Sequence, residues 1–429
     1  MARPASRFLL LAAAIHLALT ATIFLIGHFQ LLPNTFDRNG IGLSFAIDGT
    51  SYQQVASDLA EEWQSNGFTA WLNVKAPLHS RLHSLSFATF GRLVGHNVLA
   101  AEPLNLFYYL AILICIYLLG REVFNAQTGF IAAAIIGLWP SLLVYSTQLL
   151  RDPLSILCLL GLMFVLVLVL SRELAPRAGV AIGIAGALLA TLFWLARGNM
   201  WYVVLVALTI TFVMCTYRMI REKRFMSGNA LVLLIVIATA LLVPARLEST
   251  TLPGVRPPLT PLAIPTASQP AARDAVWIRV LRDLSARRAG FRSYKLRASD
   301  IDPDVQFSNV GQIVRFIPRA LVIGFFAPFP KMWVEAGSFG RAARILSGLE
   351  TLVMYFLYVA VALCVWKERR NRKMWLLLLV ATIGMLALGL VVMNAGALFR
   401  LRYVFWILMI IIASRGLDGF TLRSASRTE

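Results

Sequence analysis

Acidic side chains are few. The 429 residues include 21 Asp and Glu against 40 Lys and Arg, and charges of both signs make up only 14% of the chain. Soluble domains carry about a quarter of their residues as charge, so a water-facing globule of this length is excluded. Cysteine is equally sparse. Cys115, Cys158, Cys215 and Cys364 are the four present, each inside an apolar run, which rules out a disulfide framework or a thiolate cluster with useful spacing. Among the five histidines, His79 and His83 stand one helical turn apart with no evident third ligand beside them, which is thin support for a metal centre. No internal repeat is visible, which argues against a repeat-built transporter.

Apolar length is what the chain has in quantity. Hydrophobic residues make up 59% and the mean hydropathy is +0.73, the signature of an all-α polytopic membrane protein. A span needs about 20 apolar residues at about 1.5 Å each, and about ten are expected: 8–32, 99–119, 129–146, 153–170, 178–195, 201–217, 230–243, 345–366, 374–393 and 403–412. The first follows Arg3 and Arg7 as a signal peptide would. It is nevertheless long enough to span and no small-residue cleavage motif closes it, so it reads as a retained helix.

The formal net charge of +19 falls mostly in short loops flanking these runs, the positive-inside pattern, and a nucleic-acid partner is not expected. Arg218, Arg221, Lys223 and Arg224 fill one such loop; Lys367, Arg369, Arg370, Arg372 and Lys373 fill another. Ten spans put both loops on the cytoplasmic side together with the two termini. An extra span at 316–333 would break that agreement, and Pro318, Pro328 and Pro330 interrupt it, so this stretch reads as a helix at or dipping into the outer surface. Segments 33–98 and 246–344 then face outward. The second opens on a proline-rich linker, 253–270. After it, 275–288 reads as a helix with Trp277, Leu281 and Leu284 on one side and Arg279, Arg282, Arg287 and Arg288 around it, suited to an anionic membrane surface or an anionic substrate.

Polar residues on the outward side are the candidates for chemistry. The first segment offers Asp48, Lys75, His79 and His83; Val55, Leu59 and Trp63 recur every fourth residue, predicting a short helix from Ser51 with Asp48 just ahead of it. The third-to-fourth turn offers Gln148, Arg151 and Asp152, and helix ends add Arg197, Arg400 and Arg402. Arginines pair with phosphate oxygens, and a carboxylate takes a proton from an attacking hydroxyl or amine, so the set suits a reaction on a lipid phosphate. Structural uses compete. Asp48 or Ser51 caps a helix equally well, Asp152 before Pro153 is an ordinary helix start, and the arginines can snorkel to headgroups. His16 lies inside the first span, where a polar group is a functional candidate, but no partner is evident.

Several stretches, in this order along the chain, resemble the GT-C membrane glycosyltransferases: Asp48 with Tyr52 and Ala56 at four-residue spacing, Lys75-Ala76-Pro77-Leu78, Phe90-Gly91, Arg121-Glu122, Leu138-Trp139-Pro140 and Asp152-Pro153. The resemblance is greatest to the protein O-mannosyltransferase and lipid A aminoarabinose transferase group. It covers 7–243, with a weaker echo over 394–416 around Arg400 and Arg402. It implies a membrane module at 1–245 whose first external loop holds two juxtamembrane helices, an external loop at 246–344 and a variable C-terminal module at 345–429. It also implies an enzyme of a bacterial inner membrane, acting on the periplasmic side, that moves sugar from a polyprenyl-phosphate carrier to a glycan, lipid or protein acceptor with inversion. Asp48 matches the family's base or acceptor-orienting aspartate, and Asp152 the aspartate of the second external loop. Lys75 matches the lysine that contacts donor phosphate, and Arg197 the basic residue ending the fifth helix; Tyr52, Arg151, Arg400 and Arg402 complete the substrate-binding set. Gly49, where the mannosyltransferases have a second acid, disfavours protein O-mannosylation, and Ala76 separates Lys75 from Pro77. The family has members with and without a divalent ion, and no metal ligands are assigned. A polymerase or ligase with a diphosphate-linked donor and a lipid-linked sugar flippase are the competing functions.

Overall fold

The computed structural model describes residues 2–32, 47–247, 276–292, 300–334 and 341–425. In chain order they form α1 (Ala2–His28), α2 (Ile47–Asn73), α3 (Leu78–Val94), α4 (Val98–Val123), α5 (Ala126–Gly137), α6 (Pro140–Ser146), α7 (Asp152–Ser171), α8 (Pro176–Arg197), α9 (Trp201–Glu222), α10 (Ser227–Arg246), α11 (Val276–Arg292), α12 (Val310–Phe326), α13 (Pro330–Val334), α14 (Arg341–Lys367), α15 (Arg372–Val391), α16 (Ala395–Leu401) and α17 (Tyr403–Ala425). The linker expected at 253–270 lies outside the described residues.

Among the described residues, seven helical runs are long and apolar enough to cross a membrane, or nine when each of two bent pairs counts as one span. This is an all-helical, multi-pass membrane protein. The span expected at 129–146 is the bent pair α5 and α6, turning by 68° where Pro140 opens α6 and has no N–H to continue the preceding ladder. One apolar run, Pro176–Glu222, is 47 residues long. At about 1.5 Å per residue that is about 70 Å, more than twice the hydrocarbon thickness. Arg197 leaves the helical conformation (φ −153°, ψ 58°) and divides it into α8 and α9, of 22 residues each, matching the two spans expected there.

The helix expected from Ser51 differs from its expected form. It starts at Ile47, so Asp48 lies in its first turn rather than ahead of it, where a negative charge complements the helix dipole. Its 27 residues continue through a kink at Gly67, whose φ of 84° suits a residue without Cβ. α12 begins at Val310, earlier than expected, and runs through Pro318.

By proximity in space the chain falls into two units, one of residues 1–251, 356–381 and 406–429, the other of 252–355 and 382–405. In the first, α7 is largely buried, with Leu159, Leu160, Leu162, Met163, Leu166 and Val167 all at 0% exposure and the stripe Leu157, Gly161, Phe164 and Leu168 half-buried. α4 and α8 pack against it. In lipid, helices associate through close packing and small residues more than through hydrophobicity, and glycines mark the tightest contacts. A Cβ on Gly129 would strike the Tyr117 carbonyl of α4, and one on Gly179 of α8 would strike the backbone of Gly228 at the start of α10. One end of this unit collects cations. Arg172 pairs with Glu122 at 2.5 Å, Lys373 donates to the Glu122 carbonyl, Arg218 donates to the Leu170 carbonyl at 3.2 Å, and the Arg372 guanidinium lies 5.3 Å from the Tyr217 ring. The two cationic loops therefore meet at the end of α7 opposite Asp152.

The second unit is held by buried arginines. Arg288, expected on an outward cationic face of α11, turns inward instead. It is 3% exposed, donates to the carbonyls of Val305, Leu390 and Asp302 at 3.0, 3.0 and 2.8 Å and lies over the rings of Phe307 and Phe316. Burying a guanidinium costs several kcal/mol when its donors are unmet, and those carbonyls supply the acceptors.

Candidate functional site

α7 runs its length, turns through 172–175, and α8 returns beside it. That hairpin brings the first residue of α7 level with the last of α8, 45 positions on, and Arg197 Nη2 donates to Asp152 Oδ1 at 2.6 Å. Both side chains are 4% exposed. Each also suits its helix end, an acid at an N-terminus and a cation at a C-terminus. Removing one partner of a buried pair of this kind typically costs about 3–5 kcal/mol.

α2 and α3 deliver the other components. The amino end of α2 rests on the turn before α7: a Cβ at Gly49 would lie 3.7 Å from the Leu150 side chain. Asp48 is half-buried there. One turn further on, buried Tyr52 meets the ring of His79 in α3 edge to face, centroids 4.1 Å apart. His79 is 2% exposed, and neither of its ring nitrogens has a hydrogen-bond partner among the described residues. Burial holds its pKa well below the usual imidazole value, and the positive charges of Arg151 and Arg197 and the neighbouring His83 push the same way, against Asp152. The ring is therefore neutral at pH 7. His83, one turn on, is committed elsewhere: Nδ1 donates to the His79 carbonyl at 2.8 Å and Nε2 lies 3.0 Å from the Asn105 side-chain oxygen. Burial lowers its pKa as well. Arg151 is half-buried, and its Nε has no hydrogen-bond partner among the described residues.

Of the residues expected at the site, Asp48, Tyr52, Arg151, Asp152 and Arg197 thus gather around the start of α7. Lys75 is exposed on the connection between α2 and α3. Arg400 and Arg402 belong to the second unit. Arg400 is half-buried on α16. Arg402 is fully buried and directs its guanidinium to the carbonyls of Ala327 and Gly324 where α12 ends, with Thr351 Oγ1 at 3.4 Å. That is the position of a helix C-cap, and a cation is favoured there. His79 was legible only as half of a histidine pair. The polar pair His79-Ser80, two residues after Pro77, is buried throughout. Among the described residues no three His, Cys, Asp or Glu come together as metal ligands. With both His83 nitrogens engaged, the histidine pair does not fit a metal.

His16 has the partner that the sequence concealed. Its Nδ1 donates to Glu102 Oε1 at 2.8 Å, its Nε2 lies 3.0 Å from Ser146 Oγ, and Thr20 donates to Glu102 Oε2 at 2.8 Å.

No family profile matches the chain, and no curated protein does. Among solved structures it is similar to the archaeal oligosaccharyltransferase AglB from Archaeoglobus fulgidus, in complex with an inhibitory peptide and a dolichol-phosphate, at 14% identity and a TM-score of 0.45. The match covers 96% of this chain and 51% of that one, so the chain spans about half the length of that protein.

Proposed function

We propose that the chain is a GT-C-type glycosyltransferase that moves a sugar from a polyprenyl-phosphate carrier to a cell-envelope acceptor, on the outer face of a bacterial inner membrane. The supporting observation is the set of groups around the start of α7: the cations Arg151 and Arg197, the carboxylates Asp48 and Asp152, the second paired with Arg197, and a neutral imidazole.

In this reaction the acceptor hydroxyl or amine attacks the anomeric carbon from the face opposite the phosphate, giving inversion. The bond between the sugar carbon and the phosphate oxygen breaks, and its electron pair stays on that oxygen. The acceptor's proton passes to the Asp48 carboxylate. The leaving polyprenyl monophosphate gains one negative charge, which Arg151 and Arg197 stabilise as it forms. Asp152 holds Arg197 in place, Tyr52 fixes the ring of His79, and Lys75, exposed on the connection between α2 and α3, meets the lipid phosphate.

Asp48→Asn tests this. Turnover with a polyprenyl-phosphoryl sugar should fall at least about 100-fold, the usual contribution of a general base, with carrier binding unchanged. A flippase, or a polymerase relying on arginines alone, would lose little, and that result would overturn the assignment.

A further inference from the structure

His79 stands out among the buried polar groups of the first unit. Burying an amide-like donor without a partner costs about 1–3 kcal/mol, and native proteins seldom leave both nitrogens of a buried imidazole unmet. His83, on the same face of the same helix, has an oxygen within hydrogen-bond distance of each of its nitrogens, whereas His79 has none among the described residues. The ring of His79 is fixed by Tyr52 and lies close enough to Arg151, Asp152 and Arg197 to feel their charges. Arg151 adds a second donor, Nε, with no partner among the described residues. Two donor groups from different helices, one neutral and one cationic, thus remain uncommitted at one place.

We infer that His79 donates a ring N–H to a non-bridging oxygen of the carrier phosphate, alongside Arg151, and so acts as the neutral member of the phosphate-binding set. This rests on the polyprenyl-phosphate reading above and adds a residue to it. A neutral donor suits the position. It strengthens as negative charge accumulates on the leaving phosphate, yet adds no positive charge that would hold the dianionic product in the site. A cation in its place would hold that product, and a carboxylate would repel the phosphate.

The test is carrier binding by the full-length protein in detergent, measured by native mass spectrometry with a polyprenyl monophosphate and, separately, the corresponding uncharged prenol. His79→Phe removes both nitrogens while keeping the ring. Its affinity for the monophosphate should fall about tenfold or more, and its affinity for the prenol should stay unchanged. His79→Gln, which returns a side-chain donor, should recover most of the loss. The melting temperature gives the second readout: because the phenyl ring has no unmet donors, His79→Phe should melt at or above the wild-type temperature in the absence of lipid. A histidine that serves only the fold would show the opposite pair, lower stability with binding intact. Wild-type affinity for the monophosphate in His79→Phe, while Arg197→Ala loses it, overturns the role of His79 and leaves the transferase reading standing. No preference of the wild-type protein for monophosphate over prenol overturns the reading on which it rests.

Discussion

His79 and His83 occupy successive turns of one helix and share one electrostatic consequence. Both are buried as neutral rings with pKa values below the ordinary 6.5, whereas in the unfolded chain each protonates near that value. The unfolded state therefore binds more protons as the solution becomes acidic. Their contribution to stability is complete above pH 6.5 and is lost as pH falls below it and through the lowered folded values. Asn105 and the His79 carbonyl oppose this shift at His83, and Asp152 opposes it at His79, but burial dominates both. Thermal melts in detergent should show the melting temperature dropping between pH 7.5 and pH 5, and the dependence should be shallower in His79→Phe. A melting temperature that rises on acidification would contradict this account. The arginines separate by similar reasoning. Arg197 pairs with the Asp152 carboxylate near the ring nitrogens of His79, unpartnered among the described residues, whereas Arg402 is spent on the carbonyl end of α12, although both are arginines at the end of an apolar helix.

At the scale of helices, the His16, Thr20, Glu102 and Ser146 cluster ties α1 to α4 and to the bent α6. The groups involved are almost wholly removed from water, so each depends on the other for its hydrogen bonds. Glu102→Ala should destabilise the protein by about 3 kcal/mol or more, because it strands His16. The double variant His16→Leu with Glu102→Leu should be less destabilised than the single one, since an apolar pair leaves nothing unmet. A double-mutant cycle by denaturation would measure this, and strict additivity would refute the coupling. The same cluster shows what was and was not readable from the chain. Helix existence followed from apolar length, whereas 129–146 was expected as one span and its bend at Pro140 was not. The convergence of Asp152 with Arg197 also follows, once 153–170 and 178–195 are taken as a hairpin with a short turn. His16 and Glu102 stand 86 positions apart on helices not joined by such a turn, and nothing local marks them as partners. Arg288 and Arg402 were hidden for a related reason. Their acceptors are backbone carbonyls, which every residue carries, so no sequence pattern distinguishes a capping arginine from one that faces a ligand.

For the molecule as a whole, the two ends of α7 carry different chemistry. Glu122, Arg172, Arg218, Arg372 and Lys373 gather at one end, and Asp152 and Arg197 lie at the other. Given the positive-inside bias of short loops, the first end should be cytoplasmic. Single cysteines at positions 223 and 370, in a background with Cys115, Cys158, Cys215 and Cys364 replaced, should react with a membrane-impermeant maleimide only after the cells are opened. A cysteine at position 75 should react in intact spheroplasts. Labelling of all three from the same side would defeat the proposed orientation of the site.

α10 lies along α8 with Gly179, Gly183 and Gly186 in the seam, where added Cβ atoms would meet Gly228, Ile235 and Val236. Such a seam resists sliding, because shifting α8 by a turn would drive side chains into the opposing backbone. The height of Arg197 along the bundle is thus set during folding. On the proposed function the protein works as a fixed gauge: a carrier must present its headgroup at that level, and selection among carriers falls on how deep their isoprene tails allow them to ride.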